Sequence, residues 1–149
     1  MTEVKKLKLV FGNPENGWLP TELKFGDFEL NFSASNIPEN PINKLCSSLI
    51  LALNGIESEI IWNLEPQYYI FEFRPRTRDI SILISKSEDI TEYRNPVYEL
   101  AGDYESIILP IYRGIKKFNA LESDKVDWAK VDQIRLKKLT KLIKERKTT

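Results

Sequence analysis

Hydrophobic and polar positions follow two periods along this chain, and the changes between them mark the elements. Leu7, Leu9 and Phe11 alternate with Lys6 and Lys8, the two-residue period of a first strand. Gly12-Asn13-Pro14-Glu15-Asn16-Gly17 is a turn by composition. Trp18-Leu19-Pro20 opens a second strand with Leu19, Leu23 and Phe25 on one side. Pro20 has no N–H for a ladder, so it marks a strand start or an edge. Phe25-Gly26-Asp27-Phe28 makes a tight hairpin into a third strand, with Phe28, Leu30 and Phe32 inward and Glu29, Asn31 and Ser33 outward.

The period then lengthens. Asn40 is placed to cap a helix and Pro41 suits its first position. Ile42, Leu45, Leu49 and Leu53 make one stripe, widened by Cys46, Ile50 and Ala52, so this helix is largely buried. Asn54-Gly55 ends it. Ile56, Ile60, Trp62 and Leu64 alternate with Glu57, Glu59, Asn63 and Glu65 as a fourth strand, Ser58 and Ile61 being exceptions. After Glu65-Pro66-Gln67, Tyr69, Phe71 and Phe73 oppose Tyr68, Ile70 and Glu72 in a fifth. Arg74 to Asp79 turns into a sixth, carried by Ile80, Ile82 and Ile84. Residues 86–96 read as loop, and Val97 to Leu100 as a short seventh strand.

Beyond Gly102-Asp103, Ile107, Ile111, Ile115 and Phe118 keep helical spacing through Pro110, so one kinked helix is expected. Gly114 costs about 1 kcal/mol inside a helix, which points to a close packing contact there. Residues 126–147 read as a last helix. Trp128, Val131, Leu139, Leu142 and Ile143 form its apolar face, with Arg135 in the stripe, either snorkelling or paired with a carboxylate of the body. The whole is a single α+β domain, 1–149. A mostly antiparallel sheet of about six strands carries one central helix and two C-terminal helices on one face, because short turns join consecutive strands antiparallel.

Composition narrows the chemistry. There is no histidine, which removes Ser-His-Asp and Cys-His systems and, with a single cysteine, the usual zinc sites. Cys46 falls in the buried helix and reads as a small hydrophobe. No cofactor or metal is expected, and catalysis reads as absent; what remains open is carboxylate chemistry, although nothing resembles a calcium loop. No apolar run approaches the ~18 residues of a membrane span, and the lysines before Leu7 precede too short an apolar piece for a signal peptide, so the expectation is a cytoplasmic protein. Net charge is zero but uneven: residues 135–147 hold seven basic side chains against Glu145, and the remainder carries 15 basic and 21 acidic, a net of −6. An acidic body suits a cationic protein partner and opposes nucleic-acid binding.

The outward positions of the third to sixth strands gather Glu29, Asn31, Glu57, Glu59, Asn63, Glu65, Tyr68, Glu72, Ser81 and Ser85. We take Glu29, Glu57, Glu59, Asn63, Glu65, Tyr68 and Glu72 as the candidate partner-binding set. Tyrosine favours interfaces and carboxylates steer cationic partners. Alternation alone also produces such a face in an ordinary solvated sheet, or one that pairs with a second copy. Arg74, Arg76 and Arg78 read as a hairpin tip or a phosphate site, and the basic last helix as a surface helix or a nucleic-acid contact. A carboxylate- and tyrosine-based ligand-binding protein or enzyme is the alternative to a binding module.

The runs Gly17-Trp18-Leu19-Pro20, Ser33 to Pro41, Trp62 to Pro66 and Tyr68 to Pro75, with a buried helix between the second and third, resemble the layout of small bacterial immunity proteins of polymorphic or contact-dependent toxin systems, including the WapI-type immunity family. The resemblance rests on Trp18-Leu19, Glu65-Pro66 and the Phe71–Pro75 run. It implies a cytoplasmic protein that binds a toxin domain and blocks it without catalysis, and it assigns no residue.

Overall fold

The computed structural model describes residues 5–37, 39–89, 93–121, 128 and 130–147. In chain order these form β1 (Lys8–Phe11), β2 (Trp18–Phe25), β3 (Phe28–Ser35), α1 (Pro41–Leu53), β4 (Ser58–Asn63), β5 (Tyr68–Pro75), β6 (Asp79–Ser87), β7 (Asn95–Asp103), α2 (Tyr104–Ala120) and α3 (Gln133–Lys147). The class is α+β and every strand pairing is antiparallel, as the short turns require. The pairings divide, however, into a sheet β1-β2-β3 and a sheet β4-β5-β6-β7. The division falls at α1, because a helix between β3 and β4 leaves no hairpin to hold those two strands in register. The seventh strand is a full partner of β6, interrupted only by a register shift at Ile84/Ser85.

The inward faces of the two sheets share one core. Phe28 at the start of β3 stacks flat on Tyr98 of β7, with centroids 4.0 Å apart. Phe32, four residues on, meets Tyr69 and Trp62 at 5.3 and 5.4 Å. β3 therefore crosses the second sheet from its β7 edge towards its β4 edge. Trp62 is fully buried among Phe11, Phe32 and Phe71, and each such aromatic pair contributes about 0.5–1.5 kcal/mol beyond its burial.

α1 begins as its sequence signals require: the Asn40 Oδ1 accepts from Ile42 N at 2.9 Å and Pro41 follows. It ends with Gly55 at φ 77°, Gly55 N donating to Ala52 O and Ile56 N to Leu51 O. This double closure consumes Ile56, which is exposed and lies ahead of β4 rather than within it.

α2 runs unbroken through Pro110. Proline cannot donate to the carbonyl four residues back, so Ser106 O is left open within the helix, and Leu7 N fills it at 2.8 Å. Four residues beyond Pro110, Gly114 lies against β1.

α3 starts later than the apolar spacing indicated; residues 126 and 127 lie outside the described residues. Asp132 caps it, its Oδ1 accepting from Ile134 N at 3.0 Å and from Arg135 N at 3.3 Å. Trp128 and Val131 are buried in the core from the segment before the helix. Among the described residues Arg135 pairs with Asp132, at 3.3 Å, rather than with a carboxylate of the body. Asp132 N also donates to Asn43 Oδ1 at 2.7 Å, tying α3 to α1. No helix among the described residues is long and apolar enough to cross a membrane.

Candidate functional site

Register fixes what shares the outward face of the four-stranded sheet. Glu59 of β4 stands opposite Glu72 of β5, Glu72 opposite Leu83, and Leu83 opposite Glu99 of β7. Two carboxylates directly across a strand pair repel. Arg94, from just ahead of β7, relieves this: its two terminal nitrogens donate to the two oxygens of Glu59 at 2.9 and 3.0 Å, and it lies 3.9 Å from Glu72. Its guanidinium is held above the ordinary arginine range, first by the Glu59 hydrogen bond and further by the charges of Glu59 and Glu72. Arg74 continues the alternation, 3.6 Å from Glu72 and 3.9 Å from Glu99. The result is a line of alternating charge, Glu59–Arg94–Glu72–Arg74–Glu99, across the sheet.

The candidate residues separate into groups. Glu57, Glu59 and Glu72 come together, lining an open depression with Ser58, Phe73 and Arg74. Tyr68 is half-buried at the start of β5, opposite Asn63. Asn63 is occupied structurally: its Nδ2 donates to Ile37 O and its Oδ1 accepts from Glu65 N. Glu65 is exposed in the β4–β5 turn, at φ 44° before a cis Pro66. Glu29 is not brought to the others. It sits with Asn31 on the outer face of the three-stranded sheet, accepting from Asn31 Nδ2 at 3.2 Å.

The face is also drier than alternation implied. Ser81 and Ser85, expected to be wet, are 3% and 1% exposed, and Ile70 beside them is 2% exposed although it lies outside the main core. The Arg94 side chain reaches over this face, from ahead of β7 to Glu59 of β4. Tyr93 next to it is 78% exposed. The sequence offered no signal for either residue, since they fall in an aperiodic polar stretch and the Arg94–Glu59 contact spans 35 positions.

With Glu57, Glu59, Glu72 and Glu99 against Arg74 and Arg94, the surface keeps a net charge of −2. No group of three or more metal-ligating side chains occurs among the described residues. Cys46 is fully buried, and burial pushes its thiol up to about 12, so it is a packing residue rather than a nucleophile.

No family model matches this chain, and no curated protein does. A solved chain from the "CdiA-CT/CdiI toxin and immunity complex from Enterobacter cloacae" superposes with a TM-score of 0.44 and 11% identity, over 76% of this chain and 99% of that one. A likeness at that level says nothing about what this chain binds.

Proposed function

We propose that this chain is a non-catalytic protein-binding module that inhibits a toxin domain, with the outer face of the four-stranded sheet as its docking surface. The observation that carries the reading is the charge line Glu59–Arg94–Glu72–Arg74–Glu99, held on a rigid sheet beside the exposed Tyr93. Side chains already fixed by one another lose little freedom on binding, and the residual negative charge steers a cationic partner. Tyrosine supplies contact area at low entropic cost. The run resemblance to immunity proteins agrees with this, and it names the class of partner. Inhibition would follow from covering the partner's active or substrate-binding surface with an interface of about 1,600 Å² in total.

Co-expression tests it. The neighbouring gene is expressed alone and with this chain in bacteria, and the pair is purified. Toxicity relieved by this chain, with one-to-one co-elution, supports the proposal; Glu57→Lys and Tyr93→Ala should then weaken the complex without unfolding the protein. A neighbour that is neither toxic nor co-purified defeats it.

A second reading, attachment to nucleic acid, is favoured by one feature: a groove between α2 and α3 lined by Lys116, Lys137, Lys141 and Lys144. Binding there would fall steeply with salt and disappear when these lysines become glutamine.

A further inference from the structure

A second concave site lies at the turn of the β5–β6 hairpin, two residues beyond Arg74 of this surface. Arg76 N donates to Asp79 O at 2.8 Å, closing the turn that presents Arg76, Thr77 and Arg78. Asp79 pairs with Asp103, the residue that caps α2, so the turn stands beside the first residue of that helix, Tyr104. The end of α3 reaches the same place, its Arg146 guanidinium lying 4.6 Å over the Tyr104 ring. Together with the end of α1 these enclose a cleft of about 120 Å³ lined by three arginines, Asp79 and Tyr104.

Four observations give the cleft a chemical preference. Its charged groups sum to +2. Arg76 and Arg78 form no ion pair among the described residues, although Asp79 lines the same space. The Tyr104 ring carries the Arg146 guanidinium over its face, which places a third fork at the cleft. Finally, three carbonyls at the end of α1 already accept hydrogen bonds, Ile50 O from Asn54 Nδ2, Leu51 O from Asn54 N and Ile56 N, and Ala52 O from Gly55 N.

We infer that this cleft binds a phosphate dianion, free or as the terminal group of a monoester. Guanidinium forks match phosphate oxygens bidentately, and several forks offer more donors than the two oxygens of a carboxylate can accept.

The test is a titration of the ¹⁵N-labelled full chain with inorganic phosphate and, separately, phenyl phosphate, with sodium chloride and sodium acetate at equal ionic strength as controls. Saturable amide shifts at residues 76–79 and 104–105 with phosphate are expected. If phenyl phosphate also saturates, the cleft takes monoesters; if only inorganic phosphate does, it takes the free ion. The Arg76→Gln/Arg78→Gln variant, altered only in an exposed turn, should bind at least about tenfold more weakly. Equal shifts with chloride or acetate, no saturation by either phosphate, or unchanged binding by the double-arginine variant would overturn the inference. None of these outcomes depends on whether the sheet face binds a toxin.

Discussion

Gly114 of α2 meets the backbone of Leu9 so closely that a β-carbon there would sit 2.6 Å from the Leu9 carbonyl oxygen. The atom it would strike is main chain in a paired strand, so it cannot swing aside. Gly114→Ala should therefore destabilise the protein by about 1–3 kcal/mol, even though alanine is the better helix former by about 1 kcal/mol. Urea unfolding should show a lower midpoint with an unchanged slope.

Arg94 is the residue that lets Glu59 and Glu72 face each other. Arg94→Ala should cost up to about 1 kcal/mol at low salt, the range of exposed pairs, and the loss should shrink as salt rises and the exposed carboxylates are screened. Adding Glu59→Gln to that variant should recover part of the loss. A double-mutant cycle at two salt concentrations checks both statements, and equal losses at both would count against them.

Much of the fold was legible where the decisive signals are local. Asn40, Pro41 and Gly55 bracket α1 within one stretch of chain, and Gly114 marked its own packing contact. What escaped was set by distant residues. Trp128 and Val131 keep an apolar spacing that runs on into α3, yet the helix begins only where the Asp132 carboxylate takes up the first N–H groups. Strand period placed Ser81, Ser85 and Ile70 on the outward side correctly, but side is not exposure, since all three are buried. For the same reason Glu57, Glu59 and Glu72 could be grouped from sequence, whereas Arg94 and Tyr93 could not. Glu29 was misplaced because nothing local shows that α1 ends one sheet and begins another.

Asp103 caps α2 through a 2.9 Å bond from Ser106 N to its Oδ1. Hydrogen bonds from the Ser106 side chain and backbone hold its carboxyl below the ordinary value of 3.8. A carboxyl depressed by folding stabilises the native state above that ordinary value, and its contribution is lost as pH falls through the lower folded value. Asp103→Ala should cost about 1 kcal/mol near pH 7, and the gap from wild type should narrow as pH falls through the lowered folded value. Chemical denaturation across pH 2–7 measures it; a gap that persists in acid would contradict the assignment.

The Cys46 thiol, buried and with its ionisation pushed up to about 12, should resist alkylation in the native protein. Labelling by iodoacetamide, followed by mass spectrometry, should proceed at the rate of unfolding and speed up in urea. Rapid modification of the native chain would show instead that α1 opens locally.

The bond from Leu7 N to Ser106 O joins positions about 100 residues apart, and the vacancy it fills exists only because of Pro110. On the ribosome, β1 can pair with β2 as soon as that hairpin emerges, but its docking place is made about 100 residues later. Until α2 has left the exit tunnel, the inward side chains of the first sheet have no helix to rest on. The early chain is thus dependent on the late one, and a transcript cut short before α2 yields an apolar surface rather than a smaller stable protein.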